Sequence, residues 1–215
     1  MDKDYSIKQR KDGKPLTVRH NRQRFFYPDE WLAFYKELKP SQIFTFNMLL
    51  HTGGRINEIR HTKPEDMNLD MKRVIFKVTK VKAKKKEKHS KPRPISISSH
   101  LRKKIIKHIK GSKIKHADTI NILSTSAANR ALKIALKKAK INDWYMFSIH
   151  NLRKTHGNWL KAVGIDAGEI CTRLGHDYNT YLSSYASADV FSYEEKQKIR
   201  DILGDLIGQL KGERI

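Results

Sequence analysis

Apolar residues recur at helical spacing along most of the chain, and each run starts or stops at a residue typical of helix ends. The first helix is predicted to follow Pro28. The residues expected to form its buried side are Trp31, Leu32, Phe34, Tyr35 and Leu38. A second helix is predicted from Pro40 to the Gly53-Gly54 pair, and a short amphipathic helix covers residues 56–60.

The second half of the chain predicts further helices of the same kind. Their predicted ranges are 101–110, 126–140, 148–163 and 166–175. Within 126–140 the residues expected inside are Ala131, Ile134, Ala135 and Leu136. Thr180 is expected to start a short segment that carries Tyr185. Ser192 and Glu195 form a capping box for a C-terminal helix.

That C-terminal helix, within residues 191–215, carries a continuous apolar stripe. Its members are Ile199, Ile202, Leu203, Leu206, Ile207 and Leu210. Such a stripe can pack in the core of its own chain or dock on a neighbouring molecule, and the pattern favours neither.

Two segments alternate or concentrate β-formers instead. Residues 73–79 are rich in β-branched and aromatic residues, and residues 93–98 alternate apolar with polar positions, so the two are predicted to pair as a hairpin. Pro92 and Pro94 place the second strand at an edge, because proline cannot donate to a ladder. The predicted fold class is mainly α with a small antiparallel β-hairpin or sheet (α+β).

Charge separates this chain from an ordinary helical domain. It has 45 Lys and Arg against 22 Asp and Glu, a formal net charge of +23. Such an excess of one sign points to a polyanionic partner, with nucleic acid first. Residues 1–24 are polar and basic, and are predicted to form a flexible arm or linker ahead of the folded domain.

The chain has one cysteine, Cys171, which excludes internal disulfides and multi-cysteine zinc sites. Met1 is followed by charged residues, and no apolar run approaches the ~20 residues that span a bilayer. A soluble, cytoplasmic protein with no membrane partner is expected.

The stretch 148–185 concentrates side chains that handle phosphate. His150 and Arg153 are three residues apart and share one helical face. His176 and Tyr185 follow. Arginine neutralises phosphate oxygens with a planar fork of donors. A tyrosine hydroxyl can attack a phosphorus atom once a base takes its proton. These residue types are suited to a phosphoryl-transfer site without a metal ion.

Four phrases in chain order resemble the tyrosine recombinase (phage integrase) family. They are Thr52-Gly-Gly-Arg-Ile-Asn-Glu-Ile59, His150-Asn-Leu-Arg153-Lys-Thr-His, Leu174-Gly-His176, and Tyr185 at nine residues after His176. The resemblance covers roughly residues 25–190, the extent of that family's catalytic domain. Each phrase is weak alone, but the ordered set with its spacing is specific.

The resemblance implies a role for each site residue. Arg55 and Arg153 would clamp the scissile phosphate, His150 would be a general acid or base, and His176 would hydrogen-bond a phosphate oxygen. A lysine of the hairpin would protonate the leaving 5′-oxygen; Lys80 matches best and Lys82 is the alternative. Glu58 either orients Arg55 or lies on a helix surface.

The nucleophile has three competitors besides Tyr185. Tyr181 lies one helical turn before it, Tyr178 lies nearer to His176, and Tyr193 lies beyond the motif. A tyrosine on a helix is more often a half-buried packing residue than a nucleophile. The family's offset favours Tyr185.

The implied function is site-specific DNA recombination or integration through a 3′-phosphotyrosyl intermediate, with no metal, nucleotide or other cofactor. The implied partners are double-stranded DNA and further copies of the chain in a synaptic tetramer. Two alternatives remain: DNA relaxation of the type IB topoisomerase kind, and a non-catalytic DNA-binding protein of the same fold. Family members usually carry a separate N-terminal DNA-binding domain, whereas here a basic segment of about two dozen residues precedes the first predicted helix. Either an N-terminal domain has been removed or the protein is a minimal member of the family.

Overall fold

The computed structural model describes residues 5–9, 15–19, 24–77, 92–184 and 190–212. Within these ranges the helices are α1 (Pro28–Lys36), α2 (Pro40–Thr52), α3 (Ile56–Arg60), α4 (Ser99–Gly111), α5 (Thr125–Lys138), α6 (Ile149–Ala162), α7 (Ala167–Leu174), α8 (Tyr178–Ser184), α9 (Tyr193–Leu203) and α10 (Leu206–Lys211). The strands are β1 (Tyr5–Gln9), β2 (Pro15–Arg19), β3 (Met67–Asn68), β4 (Arg73–Phe76) and β5 (Arg93–Ser96). The predicted fold class, mainly α with a small antiparallel sheet, is confirmed.

The predicted hairpin is the core of a three-stranded sheet in the order β3-β4-β5. β4 and β5 are antiparallel, and Val74 pairs with Ile95. β5 lies at an edge, as the prolines predicted. The pattern missed β3 because two residues are too few to show an alternation.

The N-terminal segment contains more regular structure than its composition predicted. β1 and β2 pair as an antiparallel ladder in which Ile7 lies opposite Thr17. The intervening sequence includes Asp12-Gly13, a dipeptide typical of hairpin turns, which the excess of basic residues obscured. The division of the chain into arm, catalytic domain and C-terminal segment stays a prediction.

Arg24 was counted with the arm but is anchored to the helical domain. Its guanidinium forms ion pairs with Glu30 and Asp143. Its carbonyl accepts a hydrogen bond from the Asn151 amide on α6. Arg24 therefore packs against α1, α6 and the turn that carries Asp143.

The core is built around α2, which is buried along its length from Phe44 to Thr52. It packs against α4, α5 and α6, and the ring of Phe46 meets that of Phe34 on α1 at 5.1 Å between centroids. Because α2 ends at Gly53, beside α6, the central helix delivers its C-terminal end to the region where the predicted site residues lie.

Two side chains predicted to be buried are exposed. Leu32 on α1 is 39% exposed, and Ile134 on α5 is 52% exposed. The buried stripe of α5 consists of Ala128, Ala131, Leu132, Ala135 and Leu136. These residues follow the i, i+3, i+4, i+7, i+8 spacing of one helical face, and Ile134 falls outside it.

The C-terminal helix is broken in two. Gly204 has φ +61° and ψ −142°, a conformation open to glycine, and it separates α9 from α10. Ile199, Leu203, Leu206 and Ile207 are all buried in this chain, so the stripe packs in its own core. Docking on a neighbour stays a prediction for the remaining residues of 191–215.

The start of α8 differs from the prediction by a few residues. Asp177, not Thr180, caps this helix, because its carboxylate accepts from the Thr180 backbone N–H at 2.7 Å. None of the described helices is long and apolar enough to cross a lipid bilayer.

Candidate active site

Arg55 stands at the bend between α2 and α3. Gly53 ends α2 in the left-handed region at φ +63°, where a Cβ would also lie 2.5 Å from His156 Cδ2. Arg55 then caps α3, and its backbone N–H donates to Glu58 Oε2 at 2.9 Å while its Nη1 donates to Glu58 Oε1 at 2.8 Å. The tight glycine turn thus aims the arginine, and Glu58 holds it.

Glu58 is 2% exposed and remains a carboxylate. Burial alone would raise its pKa, but the hydrogen bond from the Arg55 backbone and the charges of Arg93 and Arg55 hold the pKa below its usual 4.5. Of its two predicted roles, the structure shows the one that orients Arg55.

Arg153 lies on α6 and is almost completely buried. Its Nη1 donates to the Gly53 carbonyl at 2.7 Å, and its Nη2 donates to the Leu174 carbonyl and contacts His176 Nε2 at 3.0 Å. One guanidinium therefore joins the end of α2, the end of α7 and His176.

His150 opens the same helix one turn earlier. A cavity of about 260 Å³ is lined by His150, Arg153 and Arg55 together with the first residues of α5 and α6. The partial positive charge of the two helix starts adds to that of the two guanidinium groups. The cavity is therefore suited to an anion.

Both imidazoles are neutral at neutral pH. Loss of solvent and the cations Arg153, Lys154 and Arg55 lower the pKa of His150 to about 4. Burial and neighbouring cations, Arg153 first, likewise lower the pKa of His176 to about 4. Because an arginine can only donate, His176 Nε2 accepts from Arg153, which places the His176 proton on Nδ1.

The structure brings together four of the six predicted site residues: Arg55, His150, Arg153 and His176. Lys80 and its alternative Lys82 lie outside the described residues, as does Tyr185. Tyr185 follows α8 directly in the sequence, and α8 packs on α7, which ends next to His176.

The competing tyrosines differ in their surroundings. Tyr181 is 4% exposed, and burial raises the pKa of its hydroxyl. Tyr178 and Tyr193 are 56% and 76% exposed, on α8 and α9. With its side chain buried, Tyr181 is a packing residue of α8 in this structure.

The sequence reasoning missed Arg93, which it treated only as the start of a strand. Its Nη2 donates to Glu58 Oε2 at 2.7 Å, and its side chain is 12% exposed. A partner 35 residues away leaves no local signal. A basic residue opening an edge strand beside Pro92 and Pro94 was the available hint.

A buried layer beneath the site was also missed. Arg173 on α7 donates from Nε to His156 Nε2 at 2.7 Å and from Nη2 to the His51 carbonyl at 2.8 Å. Burial lowers the pKa of Arg173 to about 9 and that of His156 well below 6.5. This layer fastens α7 to α6 and to the last turn of α2, the same elements that hold Arg153.

Comparison with known proteins identifies the fold. XerA recombinase is similar to this chain with a TM-score of 0.63 at 18% identity, covering 83% of this chain and 64% of XerA. The Tn1549 transposon integrase in complex with transposon right end DNA gives 0.63 at 16% identity, covering 84% and 66%. XerH recombinase bound to difH substrate gives 0.62 at 14% identity, covering 88% and 58%.

The chain therefore spans about two thirds or less of the length of these proteins. No curated protein sequence matches it. The profile of the Phage integrase family matches residues 24–190. That match covers most of the chain, including Arg24 at its start and Arg55, His150, Arg153 and His176, and the chain belongs to the phage integrase family.

Proposed function

We propose that this protein is a site-specific DNA recombinase that cleaves and rejoins DNA through a 3′-phosphotyrosyl intermediate. The observation that carries the proposal is the cavity shared by Arg55, His150 and Arg153, with His176 hydrogen-bonded to Arg153. Two guanidinium groups and one neutral imidazole line one space, and a second neutral imidazole is hydrogen-bonded to one of the guanidinium groups. These groups match the needs of a phosphodiester under attack.

The arginines supply electrostatic stabilisation. A phosphodiester gains negative charge on its non-bridging oxygens as a fifth oxygen approaches, and donors already aimed at those oxygens lower the barrier. Arg153 is held by two backbone carbonyls and Arg55 by Glu58. Neither has to reorganise when DNA arrives, which is the condition for a large effect.

Tyr185 is the proposed nucleophile. Its hydroxyl has an ordinary pKa of ~10, so the proton must leave as the oxygen attacks the phosphorus. His150 is neutral and faces the cavity, so it can accept that proton directly or through the phosphate. His176 can donate to a phosphate oxygen from Nδ1, since Nε2 accepts from Arg153.

The products of cleavage are a 3′-phosphotyrosyl link and a free 5′-hydroxyl. The bond from phosphorus to the 5′-oxygen breaks, and Lys80, or Lys82, is proposed to protonate that oxygen. Attack by a 5′-hydroxyl on the link reverses these steps and releases Tyr185. Because the link conserves the energy of the phosphodiester, ligation needs no ATP. Since the two arginines are proposed to stabilise the charge on the phosphate, the proposal includes no metal ion or other cofactor.

The proposed partner is double-stranded DNA. The formal charge of +23 provides attraction to phosphates. The similar Tn1549 integrase and XerH structures were determined with DNA. Four copies on two duplexes are proposed for strand exchange, since exchange needs four cleavages, one for each strand.

Covalent trapping tests the proposal. Duplexes with a nick, tiled across the DNA that flanks the protein's own gene, release on cleavage the short piece between the scissile phosphate and the nick. That piece carries the free 5′-hydroxyl, so its loss prevents rejoining and a covalent adduct accumulates. We expect wild type and Tyr181→Phe to form the adduct and Tyr185→Phe to form none. Adduct formation by Tyr185→Phe would refute the assignment.

The same flanking DNA separates recombination from its alternatives. Exchange of strands between two duplexes supports a recombinase, whereas relaxation of a supercoiled plasmid without exchange supports a topoisomerase. Binding without any adduct supports a non-catalytic protein.

A further inference from the structure

We propose that Arg93 is a positioning residue for Arg55 and acts through the carboxylate of Glu58. The inference rests on the proposed function, in which Arg55 stabilises the charge on the scissile phosphate. Arg93 comes from β5, 38 positions after Arg55 in the sequence, so the sheet and the arginine clamp meet at this one carboxylate.

Glu58 is bound from two sides. Oε2 accepts from Arg93 Nη2 at 2.7 Å and from the Arg55 backbone N–H at 2.9 Å. Oε1 accepts from Arg55 Nη1 at 2.8 Å. Because Oε2 is fixed, the carboxylate group is held in one orientation, and in that orientation Oε1 faces the Arg55 guanidinium.

The exposure of the two arginines indicates which of the two ion pairs, Arg55–Glu58 or Arg93–Glu58, fixes the orientation of the Glu58 carboxylate. The Arg55 side chain is 45% exposed, and Glu58 beside it is 2% exposed. Alone, a half-exposed arginine gains little from an ion pair, because water screens the attraction and the long side chain loses rotamer freedom. Arg93 is 12% exposed, so its pair with Glu58 is screened much less. The buried pair therefore orients the carboxylate, and the carboxylate orients Arg55.

Gly175 fits this arrangement from the other side. A Cβ at Gly175 would lie 2.9 Å from Cδ and from Cζ of Arg93, and Gly175 has φ +60°. The end of α7 can thus close over the Arg93 guanidinium only because this residue has no side chain. His176 is the next residue, so the Arg93 guanidinium lies beside the bend that carries His176 while it binds the carboxylate that holds Arg55.

Arg93 lies deeper than Arg55, with a side chain that is 12% exposed against 45%. It does not line the cavity that Arg55, His150 and Arg153 share. Its Nε and Nη1 are buried and meet no acceptor within the described parts of the chain. Its route to the reaction is therefore indirect, through Glu58.

The test measures single-turnover adduct formation on a nicked duplex that the wild type cleaves. Arg93→Met should slow it about 10- to 100-fold, the scale of one hydrogen bond to a charged group. Arg60→Met, a change to an exposed arginine on the same helix as Glu58, is the matched control and should stay near the wild-type rate. Arg55→Ala gives the effect of losing the clamp itself.

A second substrate separates a positioning role from a general loss of folding. Replacing one non-bridging oxygen of the scissile phosphate by methyl removes its negative charge. A variant in which Arg55 stabilises that charge less well should then lose less of the wild-type rate than it does on the ordinary phosphate. We expect the defects of Arg93→Met and Arg55→Ala both to shrink on this methylphosphonate. We also expect Arg93→Met to add little in the Arg55→Ala background.

The inference would be overturned if Arg93→Met slowed adduct formation by the same factor on both substrates. It would also be overturned if the double variant were slowed by the product of the two single-variant factors. Should Arg93→Met fail to fold, Arg93→Lys, which keeps the charge and one donor group, is expected to show a smaller defect with the same substrate dependence. Failure of the proposed function is a separate result, in which the wild type forms no link through Tyr185.

Discussion

Replacing Arg153 by lysine tests how far the assembly of the site depends on one buried side chain. The guanidinium donates to the carbonyls of Gly53 and Leu174 and to His176 Nε2. Gly53 lies at the end of α2, and Leu174 and His176 lie at the end of α7, so Arg153 on α6 joins three segments of the chain. An ammonium group keeps the charge but cannot span them all, because its donors sit on one nitrogen.

The magnitude follows from the lost hydrogen bonds. Loss of two bonds to a charged donor, at about 1.5–3 kcal/mol each, gives roughly 3–6 kcal/mol before relaxation. Water entering the space and repacking reduce this figure, so we expect the free energy of unfolding to fall by about 3 kcal/mol. For a chain of this size that lowers the melting temperature by about 6–12 °C.

Urea unfolding followed by circular dichroism gives the free energy, and calorimetry gives the melting temperature. Arg130→Lys is the matched control, since Arg130 is exposed on α5, and it should change stability by less than about 0.5 kcal/mol. If Arg153→Lys were as stable as that control, Arg153 would not hold the three segments together, and the preorganisation described above would be wrong.

Three further predictions concern pH and salt. Glu58 has a lowered pKa, so its contribution to stability is present above pH 4.5 and is lost as the pH falls below it; Glu58→Gln should lower stability at pH 7 and flatten that acid slope in urea titrations. His51 is buried and its pKa is lowered to about 3, so between pH 6.5 and 3 the unfolded chain binds a proton at this residue and the folded chain does not. As the pH falls through this range, the free energy of unfolding should fall by up to about 1.4 kcal/mol per pH unit, and it should fall less in His51→Gln. The affinity for an arbitrary duplex, measured by fluorescence anisotropy, should fall steeply between 50 and 200 mM salt. For 6–10 phosphate contacts the fall is about three to five orders of magnitude, and an affinity that did not change with salt would contradict a phosphate-directed surface.

Local signals in the sequence predicted much of the fold. Proline at the start of α1 and α2 and glycine at the end of α2 and α7 set helix boundaries through chemistry confined to one turn. The capping box of Ser192 and Glu195 is likewise present, with the Glu195 backbone N–H donating to the serine hydroxyl at 3.2 Å. Such features need no knowledge of the rest of the chain.

Errors arose where the outcome depended on distant contacts. Ile134 looked as apolar as its neighbours, yet the packing of α5 on α6 selects a face that excludes it. Gly204 lies within a regular apolar spacing, so the pattern gave no sign of a break. In the structure α10 packs on β5 as well as on α9. The spacing of apolar residues predicts that a helix has a buried face, but it does not predict which residues lie at the middle of that face.

The candidate site shows the same division. Arg55, His150, Arg153 and His176 were predicted from motif spacing, because their chemistry fixes their residue types, and the structure places them close together. Arg93 and Arg173 were not, since an arginine among 45 basic residues carries no mark until its partners are known. Glu58 and His156 are those partners, 35 and 17 positions away.

The central claim is that Tyr185 becomes covalently attached to the 3′-phosphate of cleaved DNA. The direct measurement is peptide mapping by mass spectrometry of the adduct trapped on a nicked duplex from the DNA flanking the protein's own gene. The account predicts that the peptide containing Tyr185 is joined through phosphate to the 3′-oxygen of the strand end at the break. A link through Tyr181 or any other residue, or a link to a 5′-phosphate end, would contradict it.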